Sequence, residues 1–486
     1  MGKKREDDYD ERRAYRRKRR IRNQIIAYVA VILFIAAIIT GAVFGIRAVT
    51  KIISEKKQAD ELEKQLEDMV NEEEVVIEPP VSVDEEPPEE EVDWLEEQVV
   101  SSVDYMSLED KVAGLFIVAP EAVTGVTQAI QAGDGTREAL NRYPVGGFIY
   151  NSQNIVDEEQ FTQMLSSTMG MRTEYPLFLA VDEEGGSVRS VGGSSITVEE
   201  IGDMADIGAG GDTAKAYEAG SQIGFYLNKL GLNLNFAPVA DIVEDAENSA
   251  VGKRSFGGDP ALVGSMAAET VRGIQEMGVS SCLKHFPGIG SVAEDTHEGM
   301  AVLEKNLDEL RAAEFPAFQA GIEAGADFVM VSHVSAPNVV GDNTPCSLSE
   351  EIMTNLLRGE LGYEGIIITD AMDMAAITEY YTADDAAVRA LKAGADMILM
   401  PEDFELAYQG VLNAVQEGVI AEERISESLK RIYRVKFRNR IDAEGNIVDV
   451  IGDSQGAEEG SDGEESQGED GAEGNPEAEG SQESGA

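Results

Sequence analysis

Cysteine is nearly absent from this sequence. Cys282 and Cys346 are too few for a disulfide framework and form no metal-binding spacing, so they read as free thiols. Histidine is as scarce: His285, His297 and His333 are the only three, and each ends or follows an apolar run. Positive charge is in deficit too. With 39 Lys+Arg against 92 Asp+Glu the net charge is −53, a surface that repels phosphate backbones and excludes nucleic acid as a partner. Nothing in the sequence asks for a cofactor, and a strong metal spacing such as H-E-x-x-H is missing.

The charge that is present is uneven. Residues 1–24 are basic, and residues 25–46, IIAYVAVILFIAAIITGAVFGI, hold no charge at all. That run is long enough to span a bilayer, and it is long for the h-region of a cleaved signal peptide. The positive-inside rule keeps the basic end in the cytoplasm; Lys51, Lys56 and Lys57 weaken this asymmetry without reversing it. The expectation is a single-pass anchor in the cell membrane with the remainder extracellular. Residues 47–100 form a charged, acidic linker, with a charged helix over 51–70 and then Pro79, Pro80, Pro87 and Pro88 in an extended spacer. Residues 441–486, rich in Gly, Glu, Ser and Asp, read as a disordered solubilising tail. The folded domain is then 101–440, in a chain that is 43% hydrophobic.

Within it, eight short apolar runs, at 114–118, 147–150, 177–181, 232–238, 279–285, 328–333, 366–370 and 397–400, alternate with helical periodicity over 214–230, 260–277, 307–324 and 383–393. Strands covered on both faces read as continuous apolar runs. Eight strand–helix units predict a (β/α)₈ TIM-type barrel; a doubly wound sheet does not need eight. The echo between EAGADFVMV (323–331) and KAGADMILM (392–400) fits a repeated αβ unit.

In such a barrel chemistry sits at the C-terminal strand ends. The third run ends in Asp182-Glu183-Glu184, the fourth passes Asn235 toward Asp241, the fifth ends in Lys284-His285, the sixth in Ser332-His333 and the seventh in Thr369-Asp370. Structural ion pairs could account for any one of these groups; the set together points to a site.

The fifth run and its loop, CLKHFPGIGSVAEDTHEGM, resemble the signature of glycoside hydrolase family 3 in its bacterial β-N-acetylglucosaminidase branch, with KHFPGIG at 284–290 and DTH at 295–297. DEEGG (182–186), LNLNFAPVADI (232–242), GKRSFGGDP (252–260) and GIIITDAMDM (365–374) resemble further segments of that family, so the likeness covers about residues 105–440. The resemblance implies a retaining, exo-acting glycosidase that removes terminal β-linked N-acetylglucosamine from peptidoglycan or chitin-type fragments. It assigns Asp370 as nucleophile, His297 as general acid/base and Asp295 as its partner, and it places Asp182, Arg254, Lys284, His285 and His333 in substrate binding.

The residue chemistry agrees. Asp295 and His297 are two apart, which in an extended loop puts both side chains on one side. The carboxylate then fixes the imidazole tautomer and leaves the other nitrogen for proton transfer near neutral pH. A metal role for Asp295, His297 and His285 lacks a supporting spacing, and Asp373 competes with Asp370 but falls past the strand end. Few apolar residues pin 288–300, so this loop should move over a bound sugar.

Three positions depart from the family pattern. Ile289 stands where a histidine is common and Glu183 where glutamine is usual. The family tends to place an arginine eight residues after Asp182; here that position is Ser190, and Arg189 comes one early, so either the loop shifts and Arg189 restores the contact, which makes it a further sugar-binding candidate, or one contact is lost. Competing readings are a β-glucosidase or β-xylosidase of the same family, a phosphorylase in which phosphate replaces water, and a tethered cell-wall binding module. The D-x-H loop argues against the first and the intact nucleophile and dyad against the last.

Overall fold

A computed structural model describes residues 93–171, 175–438 and 440–441. The basic segment 1–24, the apolar run 25–46, the linker through residue 92 and the tail 442–486 lie outside the described residues. No helix among the described residues is long and apolar enough to cross a membrane.

The strands are β1 (Phe116–Val118), β2 (Gly147–Ile149), β3 (Phe178–Val181), β4 (Glu183–Gly185), β5 (Val188–Arg189), β6 (Leu234–Asn235), β7 (Ser280–Phe286), β8 (Phe328–Val331), β9 (Ile366–Ala371) and β10 (Met397–Leu399). Eight of them close a parallel barrel in chain order, β1-β2-β3-β6-β7-β8-β9-β10, and β10 returns to β1 with Phe116 opposite Ile398. Each coincides with one apolar run of the sequence. Helices cover the outside and side chains fill the inside, so these strands bury both faces; only the last two residues of β9 reach partial exposure. The run 232–238 gives only a two-residue strand, because Pro238 has no N–H for the ladder and pairing resumes as a single bridge, Val239–Lys284. β4 and β5 form a separate antiparallel hairpin beside the barrel.

The helices follow the periodicity with one break. Asp259 caps helix Pro260–Glu276 by accepting from the Ala261 and Leu262 N–H groups, with Pro260 in the first turn where no N–H is needed. This helix lies close against Thr213–Leu230: a Cβ at Gly220 would stand 2.5 Å from the Thr270 carbonyl oxygen. The stretch 307–324 is not one helix but two, Leu307–Ala312 and Glu314–Glu323. Pro316 cannot bond the Ala312 carbonyl and its ring crowds that group, so the chain breaks at Ala313.

The described fold begins before the 101 boundary expected from composition. Asp93 caps helix Trp94–Asp104, which buries Val99 and Val103. Glu96 on that helix pairs bidentately with Arg434 of helix Glu422–Phe437, at 2.7 and 2.9 Å. At the N-terminal end of β10 the fully buried Asp396 gathers Arg358, Arg424 and Arg431. Polar groups at this end of the barrel serve cohesion and leave the opposite rim for chemistry.

Candidate active site

The opposite rim collects the charged residues that end the strands. Asp182 follows β3, and Glu184 lies two residues on in β4. Residues two apart in a strand share a face, and both carboxylates reach Lys284 at the end of β7: Nζ lies 2.5 Å from Asp182 Oδ1 and 2.6 Å from Glu184 Oε1. Glu184 also takes a bidentate pair from Arg254, with Nε and Nη2 each at 2.7 Å. Burial alone would raise the Glu184 pKa, but Lys284 and Arg254 outweigh it and hold the carboxyl at about 2. Burial pulls the Lys284 and Arg254 pKa values down, yet the facing carboxylates leave both raised.

His285, joined to Lys284 by a cis peptide, is fixed from two sides. Its Nδ1 lies 2.8 Å from Asp241 Oδ2, which can only accept, so Nδ1 carries the proton. Its Nε2 then accepts from Arg254 Nη2 at 3.3 Å. Asp241, fully buried after β6, also takes the main-chain N–H of His285 at 3.1 Å and of Ile289 at 2.7 Å. One carboxylate thus ties the end of β7 to the start of the loop that carries His297.

Asp370 is half-buried near the end of β9, where the Ala371 N–H donates to its Oδ1 at 2.9 Å. Burial disfavours its charge, but His285, His333, the Ala371 N–H and Lys284 together keep its pKa below the usual carboxylate range. That suits an ionised nucleophile.

Asp295 and His297 meet as their spacing predicts. Asp295 Oδ1 accepts from the His297 main-chain N–H at 2.9 Å and lies 2.7 Å from ring Nδ1. Nδ1 is therefore the protonated nitrogen, and Nε2 is left for transfer. Burial pushes the Asp295 pKa up, and the His297 hydrogen bonds more than reverse this. Both side chains are exposed, His297 at 71%. The loop is better anchored than its composition suggests. Ile289 and Val292 are buried, and its backbone bonds Ala250 through the Val292 carbonyl and Ala376 through that of Thr296. The Thr296 contact docks it on the segment that follows Asp370.

Residues 107–435 match the glycosyl hydrolase family 3 N-terminal domain. The chain belongs to glycosyl hydrolase family 3. Beta-hexosaminidase A of Pseudoalteromonas piscicida is 32% identical over 329 residues, 62% of this chain, which spans about half (54%) of that protein. Beta-hexosaminidase LpqI of Mycobacterium tuberculosis is 31% identical over 346 residues, 69% of this chain and 84% of that one. The solved structure of a family 3 beta-N-acetylglucosaminidase from Paenibacillus sp. superposes with a TM-score of 0.64 at 37% identity, covering 68% of this chain and 62% of that one.

Two residues of the family 3 pattern depart from the binding roles expected of them. His333 is fully buried and both its ring nitrogens are committed: Nε2 donates to the Ala371 carbonyl at 2.8 Å and Nδ1 accepts from Ser347 Oγ at 2.7 Å. Burial lowers its pKa, so it stays neutral, and it props the peptide next to Asp370 instead of facing sugar. Arg189 is not brought to the cluster. Its guanidinium pairs with exposed Glu200 at 3.2 Å and lines a separate cavity of about 220 Å³ with Glu199 and Tyr226, on the far side of the β4–β5 hairpin. The loop does not shift to make up for Ser190.

Sequence reasoning named Glu184 and Asp241 at the rim without giving either a role, and it passed over Ser347. The first two lay inside quoted motifs, and the two-residue spacing from Asp182 to Glu184 was a usable signal. Ser347 had none. Glu183, the intervening acid, turns away and accepts from Val191, Gly192 and Tyr226 at 2.7, 2.9 and 2.7 Å, which shapes the hairpin.

Proposed function

We propose that this protein is a retaining, exo-acting β-N-acetylglucosaminidase that removes terminal β-linked N-acetylglucosamine from peptidoglycan or chitin-type fragments. The observation that carries the reading is the Asp295–His297 hydrogen bond on a loop of the same rim that carries Asp370. Two groups are needed, a carboxylate to attack the anomeric carbon and a proton donor for the leaving oxygen. In the first step His297 enters as the imidazolium, protonated on both nitrogens; an Asp370 oxygen bonds the anomeric carbon, the glycosidic bond breaks, and Nε2 gives its proton to the departing oxygen, leaving the neutral Nδ1–H imidazole that Asp295 holds. In the second step His297 takes a proton from water, the water oxygen bonds the anomeric carbon, and Asp370 leaves as carboxylate. Asp182, Lys284 and Arg254 hold the hydroxyls of the terminal sugar, His285 bracing Arg254 through Nε2, and the relatives named beta-hexosaminidase support the amino-sugar preference. The apolar run 25–46 with its basic flank supports a membrane anchor that holds the hydrolase outside the cell.

The test is turnover of a chromogenic β-N-acetylglucosaminide beside the matching β-glucoside. Cleavage of the first with little of the second is expected. Preference for the glucoside, or cleavage of neither, contradicts the reading. Protease added to intact cells should release the activity by cutting within residues 71–92; a domain protected until lysis contradicts the location.

A further inference from the structure

The loop that carries His297 leaves β7 at Pro287 and returns at Lys305, and one buried side chain touches both ends. A Cβ on Gly288 would stand 2.2 Å from Glu314 Cγ, so the glutamate stem lies directly against the Gly288 backbone. Gly288 has φ +115°, a turn that glycine makes without strain and that leaves room for the stem. At the other end Lys305 Nζ pairs with Glu314 Oε1. His297 lies midway between Gly288 and Lys305 in the sequence.

Local sequence puts Glu314 there. Pro316 breaks the chain at Ala313, so Glu314 opens the helix Glu314–Glu323. Phe286, the last residue of β7, stacks on Phe315 at 5.6 Å and meets Phe318 edge-on at 5.2 Å, which seats that helix end under the loop. The Glu314 side chain is fully buried, and its Oε2 has no hydrogen-bond partner among the described residues. Burial raises its pKa, Lys305 pulls against this, and the Asp241 carboxylate adds to the rise. A buried carboxylate with one unpaired oxygen near a second carboxylate is costly, and packing does not call for it: an apolar pair of similar volume would serve cohesion as well. What the ion pair adds is a fixed point. Main-chain bonds of Ala301 and Leu303 to Ser335 give the returning leg its direction, and Lys305–Glu314 ties that leg to the outgoing one.

We propose that Glu314 and Lys305 are positioning residues: the pair clasps the two ends of the loop and thereby sets the reach of His297 toward the glycosidic oxygen. The proposal rests on the assignment of Asp370 and His297 given above. Asp370 stands on β9, outside the clasp, so its attack on the anomeric carbon should not depend on the pair. Proton delivery to the leaving group should, because a small misplacement of a catalytic group costs much of its effect.

The experiment measures kcat/KM, which reports the glycosylation step, on the purified full-length chain with two substrates. One is the β-linked disaccharide of N-acetylglucosamine, whose leaving sugar needs a proton; the other is dinitrophenyl β-N-acetylglucosaminide, whose phenolate does not. Lys305→Met should lose about ten- to a hundredfold on the disaccharide and less than about threefold on the aryl glycoside. Lys305→Arg keeps a cation for Glu314 and should recover most of the loss. Lys305→Met also strands the Glu314 charge in the interior, so its melting temperature should fall. Adding Glu314→Gln removes that charge and should restore the melting temperature without restoring disaccharide cleavage, a split that a packing role would not produce. If Lys305→Met does not fold, the double variant carries the comparison. Disaccharide activity that returns together with stability, equal losses on the two substrates, or no loss at all overturns the clasp. His297→Ala, assayed alongside, tests the assignment beneath it. Equal losses on both substrates in that variant overturn the assignment and the clasp together; a large difference there with none in the Lys305 variants overturns the clasp alone.

Discussion

Asp241 and His285 are joined twice through one oxygen: Asp241 Oδ2 accepts the His285 main-chain N–H at 3.1 Å and its ring Nδ1–H at 2.8 Å. The other oxygen holds Ile289, so the residue that braces Arg254 and the loop that carries His297 share one anchor. Hydrogen bonds to a charged group contribute about 1.5–3 kcal/mol. Asp241→Asn is therefore expected to lower kcat/KM on the chromogenic glucosaminide by about ten- to a hundredfold, raising KM through His285 and lowering kcat through the loop. Steady-state kinetics check this; wild-type kcat and KM in the variant would reduce Asp241 to a filler.

His333 offers a second lever on Asp370, the proposed nucleophile. Ser347→Ala leaves the buried His333 Nδ1 without its donor, a loss of about 1–3 kcal/mol that thermal unfolding should register. Because Nε2 of the same ring holds the Ala371 carbonyl, kcat should fall more than KM rises, and Ser347→Thr should recover most of it. A change in melting temperature without any change in kcat would confine His333 to packing.

The buried Glu184 makes the fold sensitive to acid. Its pKa is depressed from 4.5 to about 2, so its stabilising contribution is full above about 4.5 and fades as pH falls toward about 2. Removing the charge leaves Lys284 and Arg254 with one fewer carboxylate. Glu184→Gln should cost about 3–5 kcal/mol at pH 7, and the deficit relative to wild type should shrink on acidification toward pH ~3. Unfolding curves at both pH values decide it; a deficit independent of pH would mean that Glu184 acts by shape alone.

All eight barrel strands were legible because a strand covered on both faces must be apolar from end to end, and the carboxylates, lysine and histidines at their ends marked the rim. What escaped was partnership. Nothing in the sequence distinguishes Glu184, which faces Lys284, from Glu183, which faces Tyr226, until strand alternation is applied from Asp182 onward. His333 looked like one more polar residue of the rim, and only its two committed nitrogens show it working behind Asp370. Arg189 differs from the expected position by one residue, which in a hairpin moves a side chain to the other face. The break at Ala313 was readable from Pro316 and was passed over in favour of periodicity.

The role of His297 is separable from simple binding by the choice of leaving group. A nitrophenol needs little protonation on departure, whereas a sugar needs it fully. His297→Ala should slow cleavage of natural-type disaccharides by about 10²–10⁴-fold and hurt the glycosylation step with activated aryl substrates far less. Asp295→Ala should follow the same pattern more weakly, since it orients Nδ1 and does not touch substrate. Equal losses on both substrate types would make His297 a binding residue.

The central claim is that Asp370 forms a covalent bond to the sugar. A slow fluorinated N-acetylglucosaminyl substrate with a good leaving group should trap that intermediate, and peptide mapping by mass spectrometry should find the added sugar on the peptide bearing Asp370, with none on the Asp370→Asn variant. Sugar found instead on Asp373 or Asp182, or an enzyme that turns the reagent over with inversion and is never labelled, would contradict the account.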